Sequence, residues 1–284
     1  MTTTMSINDQ IKALREKTGA GMMNCKKAIT ESNGDFDKAM ESLRKKGLAD
    51  AAKKSARTTR EGIVAAYIAP DGKKGAILEL LCETDFVAKT PDFQNLAKGL
   101  VQKAAEGKLA SPEAAAADVQ PVVGKLGENM SCRRFERFEL TGPGLLAHYV
   151  HPVGHKKGAF LVLNCASDDV AKSDATVELA KELGLQIVAC SPRWVTKAEV
   201  PAVEVEKEKE IFAVQLKNEG KPEASIPKIV EGKVNKLFFQ QFCLLEMMNV
   251  RDNKTPIANM VRDAAAKAGG AIEVKRFARY QLGE

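Results

Sequence analysis

The chain has 284 residues, 44% hydrophobic and 28% charged, proportions that suit a water-soluble protein of about two domains with a real core. The net charge of +6 is a mild excess, which permits an acidic partner or some nucleic-acid contact and demands neither. No apolar run is long enough to span a bilayer, and the start Met1 to Ser6 has no basic region leading into an apolar stretch, so a cytoplasmic protein with no membrane partner is expected.

Ser6 caps a first predicted helix with Ile7, Ile11 and Leu14 on one face, stopping at Thr18-Gly19-Ala20-Gly21. A second helix carries Met22, Cys25, Ala28 and Ile29 as its stripe and stops at Asn33-Gly34. Asp35 caps a third, with Phe36, Ala39, Met40 and Leu43 inward and Arg44-Lys45-Lys46-Gly47 at its end. Such a three-helix module is either a docking unit or a cap on the core. The run Lys53 to Arg60 has no apolar periodicity and no interleaved aromatics, which favours a solvated basic linker over an RNA-binding patch.

A predicted hairpin follows: Gly62 to Ala69, the turn Pro70-Asp71-Gly72, then Gly75 to Cys82. Thr84-Asp85-Phe86-Val87-Ala88-Lys89 comes next, just before Thr90-Pro91, which reads as a helix cap and first helical position. The stretch is a strand-to-helix corner, and a large side chain exposed there implies something that binds it. Phe93, Leu96, Ala97, Leu100 and Ala104 mark the helix beyond, ended at Gly107. Ser111-Pro112-Glu113 opens a short helix, a connector follows, and a strand runs from Met130 to Leu140.

The chain then repeats itself. Tyr67-Ile68-x-Pro70-x-Gly72 recurs as Tyr149-Val150-x-Pro152-x-Gly154, and the stretch from Lys73 to Lys89 recurs from Lys156 to Lys172, at a spacing of 83 residues. Arg134-Phe135-x-Arg137-Phe138-x-Leu140 recurs as Arg276-Phe277-x-Arg279-Tyr280-x-Leu282, at a spacing of 142, so the second copy holds 59 extra residues. In the copy, Asp169 takes the place of Phe86. A carboxylate is seldom buried unpaired, so that position faces solvent in both copies, while Val87 and Ala88 are core candidates. Within the extra residues, Val203, Ile211 and Val214 lie in a Glu- and Lys-rich helix. A turn at Asn218 to Pro222 leads to a second helix with Ile226, Ile229, Val230, Val234, Leu237 and Phe238. This helical hairpin has a narrow seam, closed by self-packing or by a partner helix, a second copy of the chain in a homodimer being one candidate. Thr255-Pro256 caps a last helix with Ile257, Met260 and Val261, and a final strand follows Gly269-Gly270.

The expected fold is α+β: a three-helix module over 1–50, a basic linker over 51–61, a first core subdomain over 62–140 and a second over 141–284, with the helical hairpin inserted at about 199–240. The six cysteines are dispersed, with no Cys-x-x-Cys pair, and read as buried free thiols rather than metal ligands. His148, His151 and His155 cluster, but the first two stand an odd number of residues apart on a predicted strand and point to opposite faces, so no metal and no other cofactor is expected. There is no phosphate loop and no Gly-x-Ser-x-Gly elbow, and Gly142-Pro143-Gly144-Leu145-Leu146-Ala147 mimics a dinucleotide fingerprint but runs into a strand. The residues point to a binding protein without catalytic residues rather than an enzyme.

Leu14 to Ala28, Cys82 to Lys89 and Gly124 to Asn129 resemble three signatures of the elongation factor Ts family, in order along the chain. The resemblance implies that residues 1–50 are a ubiquitin-associated-like domain docking on elongation factor Tu, that the repeats are the family's two core subdomains and that the hairpin is its coiled-coil module. It implies a guanine nucleotide exchange factor that binds elongation factor Tu with GDP or without nucleotide, with no specific nucleic acid. Thr84, Asp85, Phe86 and Val87 would dislodge the partner's magnesium, and Leu14, Thr18, Gly19, Met22, Met23 and His151 are further partner contacts. Family members often carry Tyr-x-His-Gly where this chain has Tyr149-Val150-His151-Pro152, and some continue past the equivalent of Gly283-Glu284 with a helix whose contact is expected to be missing here. The alternative function is a basic RNA-binding module using Lys45 to Arg60.

Overall fold

The structure, a computed structural model, describes residues 6–284 apart from the side chains at 48 and 50–52; the chain start read for a targeting segment lies, up to Met5, outside the described residues. The Ser6 hydroxyl accepts the Asp9 N–H at 3.2 Å and opens α1 (Ile7–Thr18). With α2 (Met22–Glu31) and α3 (Phe36–Lys54) it closes a small core of Ile11, Leu14, Cys25, Ala28, Ile29, Ala39 and Leu43. Ile7 and Met22, expected on the inward faces, point to solvent. Nor does α3 stop at Gly47. It continues to Lys54, so Lys53 and Lys54 are helical and irregular backbone is confined to 55–60. The physical reason is a helix crossing: a Cβ on Gly124 of α6 (Ala116–Leu126) would lie 3.2 Å from the Gly47 Cα, so two glycines let the backbones meet and packing overrides the weak helix propensity of glycine.

Two antiparallel three-stranded sheets form the centre. The first is β1 (Glu61–Ile68), β2 (Lys74–Cys82) and β3 (Met130–Glu139); the second is β4 (Gly144–Val150), β5 (Lys157–Cys165) and β6 (Ile272–Gln281). Each central strand breaks register at the same place, Glu79/Leu80 in β2 and Val162/Leu163 in β5, positions 83 residues apart. After β2 come the single turn α4 (Asp85–Ala88) and α5 (Pro91–Ala105); after β5 come α7 (Asp168–Lys172) and α8 (Asp174–Cys190). One face of the first sheet is covered by Phe93, Leu100 and Val101 of α5 and Val119 and Val123 of α6. Helix α6 replaces the expected connector. Its internal Pro121, which costs a free helix about 3 kcal/mol, masks it in sequence, and burial of the flanking valines outweighs that cost. The second sheet is covered by α8 and by α12 (Ile257–Ala268), which the chain reaches through α9 (Ala202–Asn218), α10 (Ile226–Lys233) and the short α11 (Gln240–Phe242).

The remaining faces of the two sheets meet. Val64, Ile77, Phe138, Leu146, Phe160, Val162, Ala278 and Tyr280 form a shared core, with the Phe138 and Phe160 rings stacked 4.4 Å apart. The contacts come in symmetric pairs. The Arg276 guanidinium lies 4.1 Å from the Phe138 ring centroid and that of Arg134 4.3 Å from Tyr280. Leu140 N–H donates to the Lys73 carbonyl and Leu282 N–H to that of Lys156, both at 2.8 Å. Glu79 breaks the symmetry. Fully buried where the copy has Val162, it accepts from Arg134 Nε at 2.6 Å, Arg133 Nη1 at 3.1 Å and Gly283 N–H at 3.4 Å, which ties the last strand to the first sheet.

The helical hairpin forms as expected, but its seam differs. Phe212 and Leu216 of α9 pack on Ile226 and Val230 of α10 and on Val234 and Phe238 beyond it, while Val203, Ile211 and Val214 face outward. A phenylalanine and a leucine four residues apart bury more area than the sparse β-branched residues, and they set the contact face. A π-helical stretch, Val234–Phe239, turns Leu237 out of the seam. At α12, Thr255 donates to Asp252 Oδ2 at 2.6 Å instead of capping the helix, which begins at Ile257 without a side-chain cap.

Because Phe160 fills the joint between the sheets, Phe160→Ala is expected to cost about 3–5 kcal/mol, read as a lower midpoint in denaturant unfolding.

Candidate partner-binding site

The corner after β2 is sealed at both ends by hydroxyls. Thr84, extended at φ −126°, accepts the Val87 N–H at 3.4 Å; Thr90 donates to the Val87 carbonyl at 2.8 Å and accepts the Phe93 N–H at 3.3 Å, which starts α5 with Pro91 in its first turn. Val87 and Ala88 go into the first core, and Phe86 stands 78% exposed. Beside it Lys89 Nζ donates to Asp85 Oδ2 at 2.6 Å and lies 5.9 Å from the Phe86 ring centroid. The Lys89 hydrogen bond, helped by the charges of Lys89 and Lys156, holds the Asp85 carboxyl below the usual carboxylate range. Below the turn, burial pushes the Cys82 thiol up to about 12, so it stays protonated and donates to the Thr84 carbonyl at 3.1 Å.

The duplicate corner is built the same way. Ser167 accepts the Val170 N–H at 3.2 Å, Ser173 donates to the Val170 carbonyl at 2.9 Å and accepts the Thr176 N–H at 3.2 Å, and Val170 and Ala171 go inward. Asp169, in the place of Phe86, is exposed. The exposed aromatic is therefore not something the corner needs in order to fold.

Sequence reasoning missed the support of this corner. The segment after α6 lies against it: Glu128 Oε1 accepts the Thr84 hydroxyl at 2.7 Å and Oε2 the Thr84 N–H at 3.0 Å. Asn129 N–H donates to Glu83 Oε1 at 2.6 Å, and its Nδ2 donates to the Ser55 and Arg57 carbonyls at 3.3 and 2.7 Å. The only sequence signal for these contacts is that both segments match family signatures.

The other candidate residues divide. Met22 and Met23 are exposed at the start of α2, Met23 by 75%. Leu14 is fully buried, and Thr18 donates to its carbonyl at 2.6 Å. Gly19 packs on the aliphatic chain of Lys125, whose ammonium pairs with Asp92 at 2.7 Å, so the end of α1 rests on α6. His151 Nδ1 lies 3.1 Å from the Tyr149 hydroxyl, at the turn that carries Lys156. His148 instead stacks toward Phe160, and among the described residues no group of histidine, cysteine and acidic side chains is placed to hold a metal. Among them, too, no helix is long and apolar enough to cross a membrane.

Residues 83–284 match the family described as Elongation factor TS, from the residue that opens the corner to the last strand and beyond. The chain belongs to the elongation factor Ts family. Its relatives extend the likeness over the N-terminal helices. Elongation factor Ts of Clostridium botulinum (strain Alaska E43) is 45% identical over 285 residues, covering 96% of this chain and 92% of its own. That of Symbiobacterium thermophilum is 43% identical over 278 residues, covering 96% and 91%, and that of Prosthecochloris aestuarii 42% identical over 287, covering 96% and 97%. Membership supports a role as a translation elongation factor.

The separation of exposed and buried residues at the corner is measurable. Phe86→Ala is expected to leave unfolding free energy within about 0.5 kcal/mol of wild type. Val87→Ala, one residue on, should cost about 2 kcal/mol in the same denaturant titration.

Proposed function

We propose that this elongation factor Ts family member is a guanine nucleotide exchange factor for elongation factor Tu. The observation that carries the proposal is the exposed Phe86, an aromatic held out on a corner whose duplicate folds with Asp169 in its place. Phe86 is the wedge that presses in beside the magnesium site of elongation factor Tu, Asp85 flanks it, and Thr84 and Val87 hold the turn. Magnesium bridges the nucleotide phosphates, so disturbing its coordination weakens GDP binding. The coupling is reciprocal: by whatever factor this chain lowers GDP affinity, GDP lowers the affinity of the partner for this chain. GTP then binds the emptied site and ejects the exchange factor. No bond is made or broken, and the chain needs no catalytic residue of its own.

The exposed Met22 and Met23 of the three-helix module supply a second contact, with Gly19 and Thr18 shaping the end of α1 behind them and His151 a third contact at the turn beside Asp85. The core subdomains act as the rigid frame between these surfaces, and the protein works in the cytoplasm, where its partner is. An RNA-binding role for Lys45 to Arg60 finds less support, because three of those cations are engaged within the protein: Lys45 with Glu41 at 2.9 Å, Lys46 with Asn24 at 2.8 Å and Arg57 with Glu83 at 3.5 Å.

Release of a fluorescent GDP analogue from purified elongation factor Tu tests the proposal. Wild type should accelerate release, and Phe86→Ala should lose most of the acceleration while remaining folded. Acceleration by Phe86→Ala equal to wild type, or none by wild type, overturns it. RNA binding that falls steeply with salt would point to the basic run instead.

A further inference from the structure

We propose that Glu128 is a positioning residue for the Phe86 corner, an inference that rests on the exchange-factor role above. Thr84 is where strand becomes turn, and its hydroxyl has a single proton to give. Glu128 Oε1 takes that proton at 2.7 Å, which turns the oxygen lone pairs toward the Val87 N–H; Glu128 Oε2 takes the Thr84 N–H at 3.0 Å. One acceptor-only group thus fixes both the backbone and the rotor of the residue that caps the turn. Both hydrogen bonds are charge-assisted, and the carboxylate is half-buried between the segments it joins.

The hold is reciprocal. Glu83 accepts the Asn129 N–H at 2.6 Å, so each segment offers a carboxylate to a backbone N–H of the other. Through Asn129 the same clamp reaches the carbonyls of Ser55 and Arg57, just past the end of α3. The corner that bears Phe86 and the chain leaving the three-helix module are therefore anchored at one point.

The duplicate serves as an internal control. At the spacing of 142 residues, Glu128 and Asn129 correspond to Gly270 and Ala271. A Cβ on Gly270 would lie 2.7 Å from Val170 Cγ2, so there the corner packs directly on backbone. It is held by one backbone bond, Ala166 N–H to the Ala271 carbonyl at 2.9 Å, and among the described residues no carboxylate meets Ser167. A corner of this design folds without the clamp. The clamp is present in the copy that exposes an aromatic and absent in the copy that exposes Asp169. Pre-organising Phe86 removes the cost of ordering the turn when the partner is met.

The test is the GDP-release assay on the full chain with Glu128→Ala, Glu128→Gln, Phe86→Ala and the double variant Glu128→Ala/Phe86→Ala, alongside hydrogen exchange at the Thr84 and Val87 amides. Glu128→Ala should lower the accelerated rate about tenfold and speed exchange of both amides, and Glu128→Gln, which keeps one acceptor oxygen, should recover part of the rate. In the Phe86→Ala background, removing Glu128 should change nothing further, because its effect passes through the ring. Should Glu128→Ala melt before the assay temperature, Glu128→Gln carries the comparison. Rates unchanged by either Glu128 substitution while Phe86→Ala is slow, or losses that multiply in the double variant, overturn the positioning role alone. A fast Phe86→Ala overturns the exchange-factor role and this inference with it.

Discussion

The central strands β2 and β5 are buried on both faces, and the rest of the molecule follows from the need to cover them. A three-stranded sheet has too little area to bury itself, so each takes helices on one face and the other sheet on the second. Ile77 and Phe160 point into the joint while Leu78, Leu80, Leu161 and Leu163 point at the helices, and all six are fully buried. The joint also explains the pairing of cations with rings: Arg134 and Arg276 lie over Tyr280 and Phe138 at its margin, placing guanidinium planes where aromatic faces would otherwise meet water.

Duplication lets one copy diverge where the other shows what folding requires. Both corners have a hydroxyl cap, two inward apolar residues and a second hydroxyl that starts the next helix. They differ at Phe86 and Asp169, and at Glu128 and Gly270, the exposed residue and the residue behind it. The second copy instead carries the helical hairpin, which has its own small core around Phe212, Leu216 and Phe238 and so adds an element without disturbing the sheets.

The thiol and the carboxylate on the turn are both engaged within it. Its thiol, Cys82, is held protonated by burial, and its carboxylate, Asp85, is ionised and occupied by Lys89. What the corner offers is a fixed shape with one apolar projection, an exposed aromatic of the kind that anchors contacts between proteins.

Much of this was legible in the chain alone. The repeat determined that there would be two like α+β halves, and the change from Phe86 to Asp169 at matched positions determined which residue faces out, because a carboxylate and an aromatic share an equivalent site only if that site is wet. The run of α3 past Gly47 and the helix in place of a connector before Met130 were decided by tertiary structure: close approach of Gly47 to Gly124 carries α3 onward, and burial of Val119 and Val123 sustains α6 through Pro121. The face of α9 was likewise set by packing, since sparse apolar residues leave several stripes open and only the partner helix selects one. Contacts across long stretches of sequence, Glu128 with Thr84 and Glu79 with Arg133 and Arg134, carry no local periodicity. Local pattern fixed the inward residues of the corner, Val87 and Ala88; which distant carboxylate waits behind it is decided only when the chain has closed on itself.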